Sequence, residues 1–364
     1  MKYVDEFRNK TLILKAAKQI RRLMPDKELT IMEVCGTHTM NFCRFGLRDL
    51  LPENLNFIPG PGCPVCVSHQ SYIDIAIKLA QRDDTIIATF GDMLRVPGTH
   101  SSLEKERSEG ARVRLVYSPL DALRLAKINP GKKIIFLGVG FETTAPTVAL
   151  SIIRARAEKL KNITFLVSLK LMPPVMKHLL RDKRLNLSGF LCPGHVSSII
   201  GTRPYGFIPK NYGIPCCVAG FEPLDILEGI MMILRQINNN RPKVDNQYSR
   251  VVRPEGNPDA RRIIARTFKA AGSYWRGIGF ISESGLEIKK EFQALDTEKV
   301  FSIKRPAAGS QPETKCRCGD VLKGLITPDR CPLFARSCVP EKPLGPCMVS
   351  IEGACSAYYK YKIN

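Results

Sequence analysis

Short apolar runs alternate with amphipathic stretches along the first 240 residues or so of the chain. The apolar runs predict strands at Leu29–Val34, Thr85–Phe90, Val113–Tyr117, Lys133–Val139, Ile163–Leu169, Gly189–Cys192 and Ile214–Gly220. The amphipathic stretches predict helices at Ser71–Gln81, Pro119–Lys127, Ala145–Lys161, Met172–Arg181 and Leu224–Asn239. Strands that alternate with helices of this length indicate parallel α/β sheets. Almost unbroken apolar strands such as IIFLGVG favour sheets that are covered on both faces.

The two ends of the chain have a different pattern. The first 25 residues predict an amphipathic helix that ends before Pro25, and the polar stretch Asn238–Asn246 predicts a linker. Aromatic and β-branched residues after Gly272 predict further strands. Roughly the last 60 residues are rich in Cys, Pro and Gly and poor in apolar residues, so we expect them to need a metal or cluster to fold.

Composition and charge exclude several classes of protein. The 364 residues carry a net charge of +21, and 44% of them are hydrophobic, which excludes wholesale disorder. The basic residues are scattered and match no zinc-finger, RNA-recognition or basic-zipper pattern, so we expect no nucleic-acid partner. No apolar run reaches the ~20 residues of a membrane helix, and the N-terminus lacks the apolar core of a signal peptide. We therefore expect a soluble, cytoplasmic protein.

Thirteen cysteines are many for a cytosolic chain, and their odd number argues against a full set of disulfides. Six of them lie in the last 49 residues, and others lie in short motifs rich in Gly and Pro. In a reducing compartment this clustering indicates metal or redox chemistry.

The motif CGTHT follows the first predicted strand, at the strand end where ligands bind in open α/β sheets. Cys35 and His38 are candidates for a nucleophile and its base, or for a metal ligand and a supporting donor. A buried structural cysteine beside a capping histidine is the alternative.

The motif GPGCPVC contains a Cys-x-x-Cys pair, Cys63 and Cys66. This spacing lets both sulfurs reach one metal ion or form a disulfide. No second pair stands at zinc-finger spacing, so a closed four-cysteine zinc site is not indicated here.

Two further motifs, GFETTAP and PGHVS, also follow apolar strands. Glu142 is a candidate proton carrier or partner of a thiolate, and His195 is a candidate ligand or acid/base. A solvated carboxylate at a helix start and a polar cap are the alternatives. Neither motif has the full glycine pattern of a nucleotide site.

The tail cysteines match no common zinc module. The last four, spaced 7, 9 and 8 residues apart, suit a [4Fe–4S] cluster, which takes four thiolates at varied spacings. The Cys-x-Cys pair of Cys316 and Cys318 is then free for thiol exchange. A structural zinc site that uses four of the six thiols is the alternative.

Together, CGTHT, GPGCPVC, GFETTAP, PGHVS, CRCGDVLKGL and GPCMVSIEGACSAYYKY resemble, in order, the motifs of the HypD family of hydrogenase maturation proteins. The resemblance implies a scaffold on which the Fe(CN)2CO unit of [NiFe] hydrogenases is assembled. It also implies a [4Fe–4S] cluster, a small HypC-type chaperone as partner, and cyanide received from HypE acting with HypF.

The same resemblance implies roles for individual residues. Cys35, Cys63 and Cys66 would hold the iron, with His38, Glu142 and His195 around the same cleft. The cluster ligands would be Cys331, Cys338, Cys347 and Cys355, with Cys316 and Cys318 as a redox pair or alternative ligands. Met40 stands where many relatives have a second histidine, so no role of that histidine carries over.

The expected fold is two parallel-sheet α/β domains that flank a cleft, plus a Cys-rich iron–sulfur domain built from the C-terminal region and the N-terminal helix. The expected segments are 1–27 for that helix, 28–120 and 121–243 for the α/β domains, and 244–364 for the C-terminal domain. A redox-active scaffold is the leading function, rather than a conventional turnover enzyme. A thiol–disulfide oxidoreductase that acts on a partner protein and a basic RNA-modifying iron–sulfur protein are the alternatives.

Overall fold

The computed structural model describes residues 4–303 and 315–363, so residues 1–3, 304–314 and 364 of the predicted segments lie outside it. Its strands are β1 Leu29–Glu33, β2 Leu55–Pro59, β3 Thr85–Thr89, β4 Val113–Leu115, β5 Lys133–Gly140, β6 Ile163–Leu169, β7 Gly189–Pro193, β8 Cys216–Ala219, β9 Val244–Asn246, β10 Phe268–Trp275 and β11 Gly279–Ile288.

The α-helices vary from single turns to sixteen residues. They are α1 Lys10–Leu23, α2 Gly36–Arg44, α3 Pro64–Val67, α4 Gln70–Ala80, α5 Leu103–Ser108, α6 Pro119–Ile128, α7 Ala145–Ala157, α8 Met172–Leu179, α9 Gly194–Ile200, α10 Phe207–Tyr212, α11 Pro223–Asn238, α12 Pro258–Thr267, α13 Thr297–Val300, α14 Cys318–Leu322, α15 Pro346–Val349 and α16 Ala354–Tyr358. Within the described residues, no helix combines the length and the apolar character needed to cross a bilayer.

Two parallel sheets confirm the predicted α/β class. The first sheet has the order β2-β1-β7-β8-β9, and the second has the order β4-β3-β5-β6. Strands β10 and β11 form a separate antiparallel pair with an irregular register near Ala271.

The sheets do not follow the predicted division of the chain at residues 120 and 121. The chain begins the first sheet with β1 and β2, builds the whole second sheet from β3 to β6, and then returns to add β7, β8 and β9 to the first. The stretch Asn238–Asn246, predicted as a linker, contains β9, which pairs with β8 as an edge strand. The three residues of β9 are only half-buried. An edge strand can be this polar, because it has a neighbouring strand on one side only.

The central strands are buried because their residues are almost all apolar. Seven of the eight residues of β5 and all seven of β6 are buried, as expected for strands covered on both faces. Phe136 and Phe165 pack edge to face at the middle of this sheet, with ring centroids 5.9 Å apart. The predicted two-sided burial is confirmed.

Among the described residues, helix α1 packs on α11 and not on the Cys-rich segment 315–363, which differs from the expected arrangement. Its buried face, Ala16, Ala17 and Ile20, lies against α11 and the first sheet. The side-chain amide of Asn238 donates to the Leu23 carbonyl at 2.8 Å, joining the ends of the two helices. Helix α11 offers a long apolar face on that side of the sheet, whereas the Cys-rich tail offers little apolar surface.

The C-terminal region instead covers two different places. The β10–β11 pair packs on β6 and α8, where Trp275 is fully buried and its indole N–H donates to the Ser284 hydroxyl at 2.8 Å. The Cys-rich segment 315–363 packs through α15 and α16 on α3 and α2. The tail therefore lies directly on the helices that follow β1 and β2.

Candidate metal and thiol site

Two thiol-bearing loops lie side by side at one edge of the first sheet. Strands β1 and β2 are parallel neighbours, so the loop with Cys35 and the loop with Cys63 leave the sheet at the same edge. The Gly36 amide donates to the Gly62 carbonyl at 3.2 Å. A Cβ atom at Gly62 would lie 2.4 Å from the Cys35 Cα, so this close approach requires glycine.

The Cys-x-x-Cys pair is held by one helical turn. Cys63 caps α3, with Pro64 at its first position, and the Cys66 amide donates to the Cys63 sulfur at 3.2 Å. The two side chains are 2% and 0% exposed. Burial raises the pKa of the Cys66 thiol well above its usual value, and its hydrogen bond with the Cys63 thiol acts in the same direction.

The Cys35 thiol faces its own helix start and the tail. Burial, together with the nearby Glu352 carboxylate, raises the pKa of Cys35 to about 12, and the backbone amides of Thr37 and His38 at the helix start oppose this shift only in part. Among the described residues, no contact joins the Cys35 sulfur to those of Cys63 or Cys66. The structure therefore brings these loops together through their backbones, and a cation is needed to favour the thiolate.

The C-terminal segment closes over the first loop. The Thr37 hydroxyl donates to the Glu352 carboxylate at 2.8 Å. A Cβ atom at Gly36 would lie 2.3 Å from the Glu352 carbonyl oxygen, so the tail backbone fits only against glycine. The Ser350 hydroxyl donates to Asp92 at 2.7 Å, which fixes the same turn to the loop after β3.

A line of contacting thiols leads from the Cys-x-x-Cys pair into the tail. The Cys66 thiol lies close enough to that of Cys347 for each to shift the pKa of the other, and the same holds for Cys347 and Cys355. The Cys66 sulfur also lies 3.8 Å from the Pro346 carbonyl oxygen, to which it donates. Cysteines almost 300 positions apart in the sequence thus lie in one cluster of thiols.

The remaining tail cysteines lie close to Cys355. Cys316 hydrogen-bonds to Cys318 and interacts electrostatically with Cys338 and Cys355, and Cys355 interacts in the same way with Cys331. Among the residues that the structure describes, no group of three or more His, Cys, Asp or Glu side chains is arranged to hold a metal ion.

His38 is a buried, neutral imidazole. Its Nε2 lies 2.8 Å from the Gly220 carbonyl oxygen, which can only accept, so Nε2 carries the proton. Its Nδ1 is buried with no hydrogen-bond partner. Burial lowers the pKa of His38 to about 4, with a smaller contribution from His195. His195 is exposed and stacks on Phe221 with ring centroids 3.8 Å apart, and Phe221 also contacts His38.

A polar network fixes the Gly220 carbonyl. The Gly220 amide donates to the Gln247 side chain at 3.1 Å, and Gln247 donates to Asp225 at 2.8 Å. Arg250 donates to both oxygens of Asp225, at 2.8 and 2.7 Å. The tautomer of His38 is thus set by residues outside the motifs.

Glu142 follows β5 of the second sheet, and β5 packs against α3, the helix that carries Cys66. One of its oxygens accepts the Met172 amide at 2.8 Å, and the other is buried without a partner. Burial raises the pKa of Glu142 to about 7. No hydrogen bond between described residues joins Glu142 to Cys35, Cys63 or Cys66.

Known proteins resemble this chain over nearly its whole length. The HypD family model, described as the hydrogenase formation hypA family, matches residues 11–362. Hydrogenase maturation factor HypD2 of Bradyrhizobium diazoefficiens is 44% identical over 370 residues, covering 99% of this chain and 97% of that protein. Hydrogenase maturation factor HypD of Escherichia coli is 43% identical over 370 residues, covering 100% of this chain and 98% of that protein.

The chain belongs to the HypD family of hydrogenase maturation factors. It therefore has a role in hydrogenase maturation. The matched residues include all six motifs that carried the resemblance.

Sequence reasoning missed several residues of this HypD site. Glu352 lies beside Cys35, Phe221 separates His38 from His195, and Gln247 holds Gly220. Gly220 and Phe221 directly follow a buried strand of the first sheet, which is the signal that could have found them. Glu352 and Gln247 have no such signal, because their role depends on long-range packing.

We expect Gly62→Ala to separate the two thiol loops, because its Cβ would clash with the backbone of Cys35. The free energy of unfolding should fall by about 2 kcal/mol or more, measured by chemical denaturation. Gly131→Ala is the matched control: no atom lies within 4 Å of its Cβ position, and its effect should stay within about 0.5 kcal/mol. Equal effects of the two substitutions would contradict the close approach.

The pKa of Glu142 predicts a pH dependence of stability. Because the folded-state pKa, about 7, exceeds the ordinary value of 4.5, stability from this group is complete below about pH 4.5 and is lost as the pH rises through 7. Between about pH 4 and pH 8 the wild type should lose about 3 kcal/mol more than Glu142→Gln, measured by urea denaturation. A wild-type pH profile in Glu142→Gln would refute the prediction.

Proposed function

We propose that this chain is the scaffold on which the Fe(CN)2CO unit of [NiFe] hydrogenases is assembled. The observation that carries the proposal is the position of the Cys-rich tail, which covers two strand-end thiol loops and contacts Cys66 through Cys347. It supports the proposal, because the thiols proposed to hold the iron cargo lie beside thiols proposed for redox chemistry.

The iron is the cargo of this site, and the thiols of Cys35, Cys63 and Cys66 are its proposed donors. Low-spin iron that carries cyanide and CO is soft, and thiolates suit it. All three thiols are buried, so the cargo would be shielded from water. The positive charge of the iron would favour the thiolate forms that burial disfavours.

His38 is the proposed polar partner of the bound cargo. Its proton is fixed on Nε2, so Nδ1 can accept a hydrogen bond or a proton within the buried site. His195 is the proposed exposed counterpart on the other face of Phe221. Glu142, with its raised pKa, is a proposed proton carrier at the end of β5, which packs on α3.

A [4Fe–4S] cluster is the proposed resident cofactor of the tail. The donor set fits by its chemistry, since thiolates are the ligands of iron–sulfur clusters and several tail thiols lie close to Cys355. Cys316, Cys331 and Cys338 all interact electrostatically with Cys355, and these four are the proposed ligands. Cys347 also interacts with Cys316 and Cys355, but its thiol lies against Cys66 as well, so we give its place in the family pattern to Cys316. When bound, such a cluster supplies single electrons.

Cys347 is better placed for thiol exchange than for cluster binding. Its thiol contacts Cys66, and oxidation of these two thiols to a disulfide would release two electrons and two protons. The Cys63 sulfur, which accepts the Cys66 amide, could attack the Cys66–Cys347 disulfide at Cys66 and release the Cys347 thiol. Electrons for the cargo would then come from thiols within the same buried site.

The proposed partners follow from the family. They are a small HypC-type chaperone and HypE, acting with HypF, as the cyanide donor, and the proposed location is the cytoplasm. The net charge of +21 would suit an acidic protein surface.

A general thiol–disulfide oxidoreductase is the second candidate, and the line of contacting thiols favours it. The burial of Cys63 and Cys66 counts against it, because attack on a partner's disulfide requires an accessible thiolate. Reduction of a generic disulfide substrate without any partner protein would support this candidate over the scaffold.

Infrared spectroscopy tests the cargo site. The full chain, purified anaerobically from hydrogenase-producing cells, should show CN and CO stretching bands, and Cys35→Ala should abolish them. Cys43→Ala removes a cysteine outside the thiol loops and should keep the bands. Bands that survive in Cys35→Ala would show that the ligand assignment is wrong, and their absence from the wild type would refute the scaffold.

Iron and sulfide analysis tests the cluster ligands. The wild type and Cys347→Ala should both retain about four cluster irons per chain, whereas Cys316→Ala should lose them. Mössbauer spectra would separate the cluster from a mononuclear iron. Loss of the cluster in Cys347→Ala, with retention in Cys316→Ala, would restore the ligand set that the family pattern suggested.

A further inference from the structure

A buried arginine lies at the junction between the Cys-x-x-Cys helix and the Cys-rich tail. Arg276 follows β10, in the turn before β11, and is only 5% exposed. Its amide donates to the carbonyl of Val67, the last residue of α3, at 2.9 Å. On the tail side, a Cβ atom at Gly277 would lie 2.3 Å from the Gly319 Cα, so this turn packs directly on the backbone next to Cys318. The turn is therefore fixed against both thiol-bearing segments.

The guanidinium group of Arg276 has few partners. Its two terminal nitrogens donate to the Pro97 carbonyl and to the Gln70 side-chain oxygen, each at 3.4 Å, which is long for such bonds. Both acceptors are neutral, and within residues 4–303 and 315–363 no carboxylate forms an ion pair with Arg276. A buried cation without a counter-charge is costly, because the protein interior replaces its hydration poorly. The position therefore favours an anion close by.

The charge of Arg276 acts on the thiols of the tail. The neighbouring Cys318 thiol and burial raise the pKa of the Cys316 thiol, and Arg276 acts in the opposite direction. The guanidinium thus lies close enough to Cys316 to stabilise negative charge there. Cys316 is a proposed cluster ligand, and a cluster held by four thiolates is anionic overall, since its ligands carry more negative charge than its core carries positive charge.

We propose that Arg276 is the buried counter-charge of this cluster and raises its reduction potential. The proposal rests on the cluster of the proposed function. Reduction adds one electron, so the reduced form carries one more negative charge, which a cation close by stabilises. Because Arg276 is buried, water and salt screen its charge only weakly. A purely structural tie between the turn and Gln70 would affect stability and leave the potential unchanged.

A redox titration of the anaerobically purified full chain, followed by electron paramagnetic resonance, tests this role. With dithionite as reductant, Arg276→Gln should lower the midpoint potential. At the wild-type midpoint, its ratio of reduced to oxidised cluster should be at least about tenfold lower, which is about 59 mV for one electron. Arg276→Lys keeps the charge and should stay within about threefold of the wild-type ratio.

Arg95→Gln is the matched control. It removes an exposed arginine that also contacts the tail, where it donates to the Pro340 carbonyl at 3.4 Å. Because water and salt screen an exposed charge, its ratio of reduced to oxidised cluster should stay within about threefold of the wild-type ratio.

Three results would overturn the proposal. They are a wild-type potential in Arg276→Gln, an equal shift in Arg95→Gln, and a shift in Arg276→Lys as large as that in Arg276→Gln. If Arg276→Gln does not retain the cluster, Arg276→Lys decides. The proposal then requires a retained cluster at the wild-type potential, and loss of the cluster from Arg276→Lys would overturn it.

Iron and sulfide analysis of the wild type separates this proposal from the proposed function. A wild type without a cluster would refute the cofactor and this role of Arg276 together. A cluster that is present, with a potential that Arg276→Gln does not shift, would refute the role of Arg276 alone.

Discussion

The packing of the Cys-rich tail on the two strand-end loops is the constraint on which the site depends. Cys347 contacts Cys66, and Glu352 contacts Thr37 and the backbone of Gly36. The tail has little apolar core of its own, so its position is set by these contacts and by the short helices on α2 and α3. Without them the thiols of loop and tail would belong to separate parts of the molecule.

Burial controls the charge of this site. It raises the pKa of Cys35 and Cys66 and lowers that of His38, so thiols and imidazole are all neutral near pH 7. A neutral, buried set of soft donors costs little to maintain and gains charge only when a cation arrives. The neutral His38 ring has a fixed tautomer, with the proton on Nε2. Its acceptor nitrogen, Nδ1, is therefore defined before any cargo binds.

The sequence predicted much of the fold where the hydrophobic pattern is strong. Strand Ile163–Leu169 matches its prediction at both ends, and the strand from Lys133 differs by one residue, because their apolar runs are unbroken. Strand β2 was missed because its five residues include Asn56 and end in Pro59, and β9 was missed because it is polar. The membership of the two sheets was not predictable, since the chain leaves the first sheet and later returns to it.

The candidate site, like the fold, could be predicted from the sequence only in part. Position after an apolar strand located Cys35 and His195 at the sheet edge, because parallel strands end together, whereas only the Cys-x-x-Cys spacing pointed to Cys63. Spacing along the tail could not show that Cys347 faces Cys66, nor that Cys316 lies near Cys338 and Cys355. Those relations come from tertiary contacts between segments far apart in sequence.

Disulfide mapping tests the tail packing most directly. In a Cys63→Ala variant, which removes the competing partner within the Cys-x-x-Cys pair, mild oxidation followed by peptide mass spectrometry should yield a Cys66–Cys347 linkage as the main product. A free Cys66, with Cys347 linked only to other tail cysteines, would contradict the account.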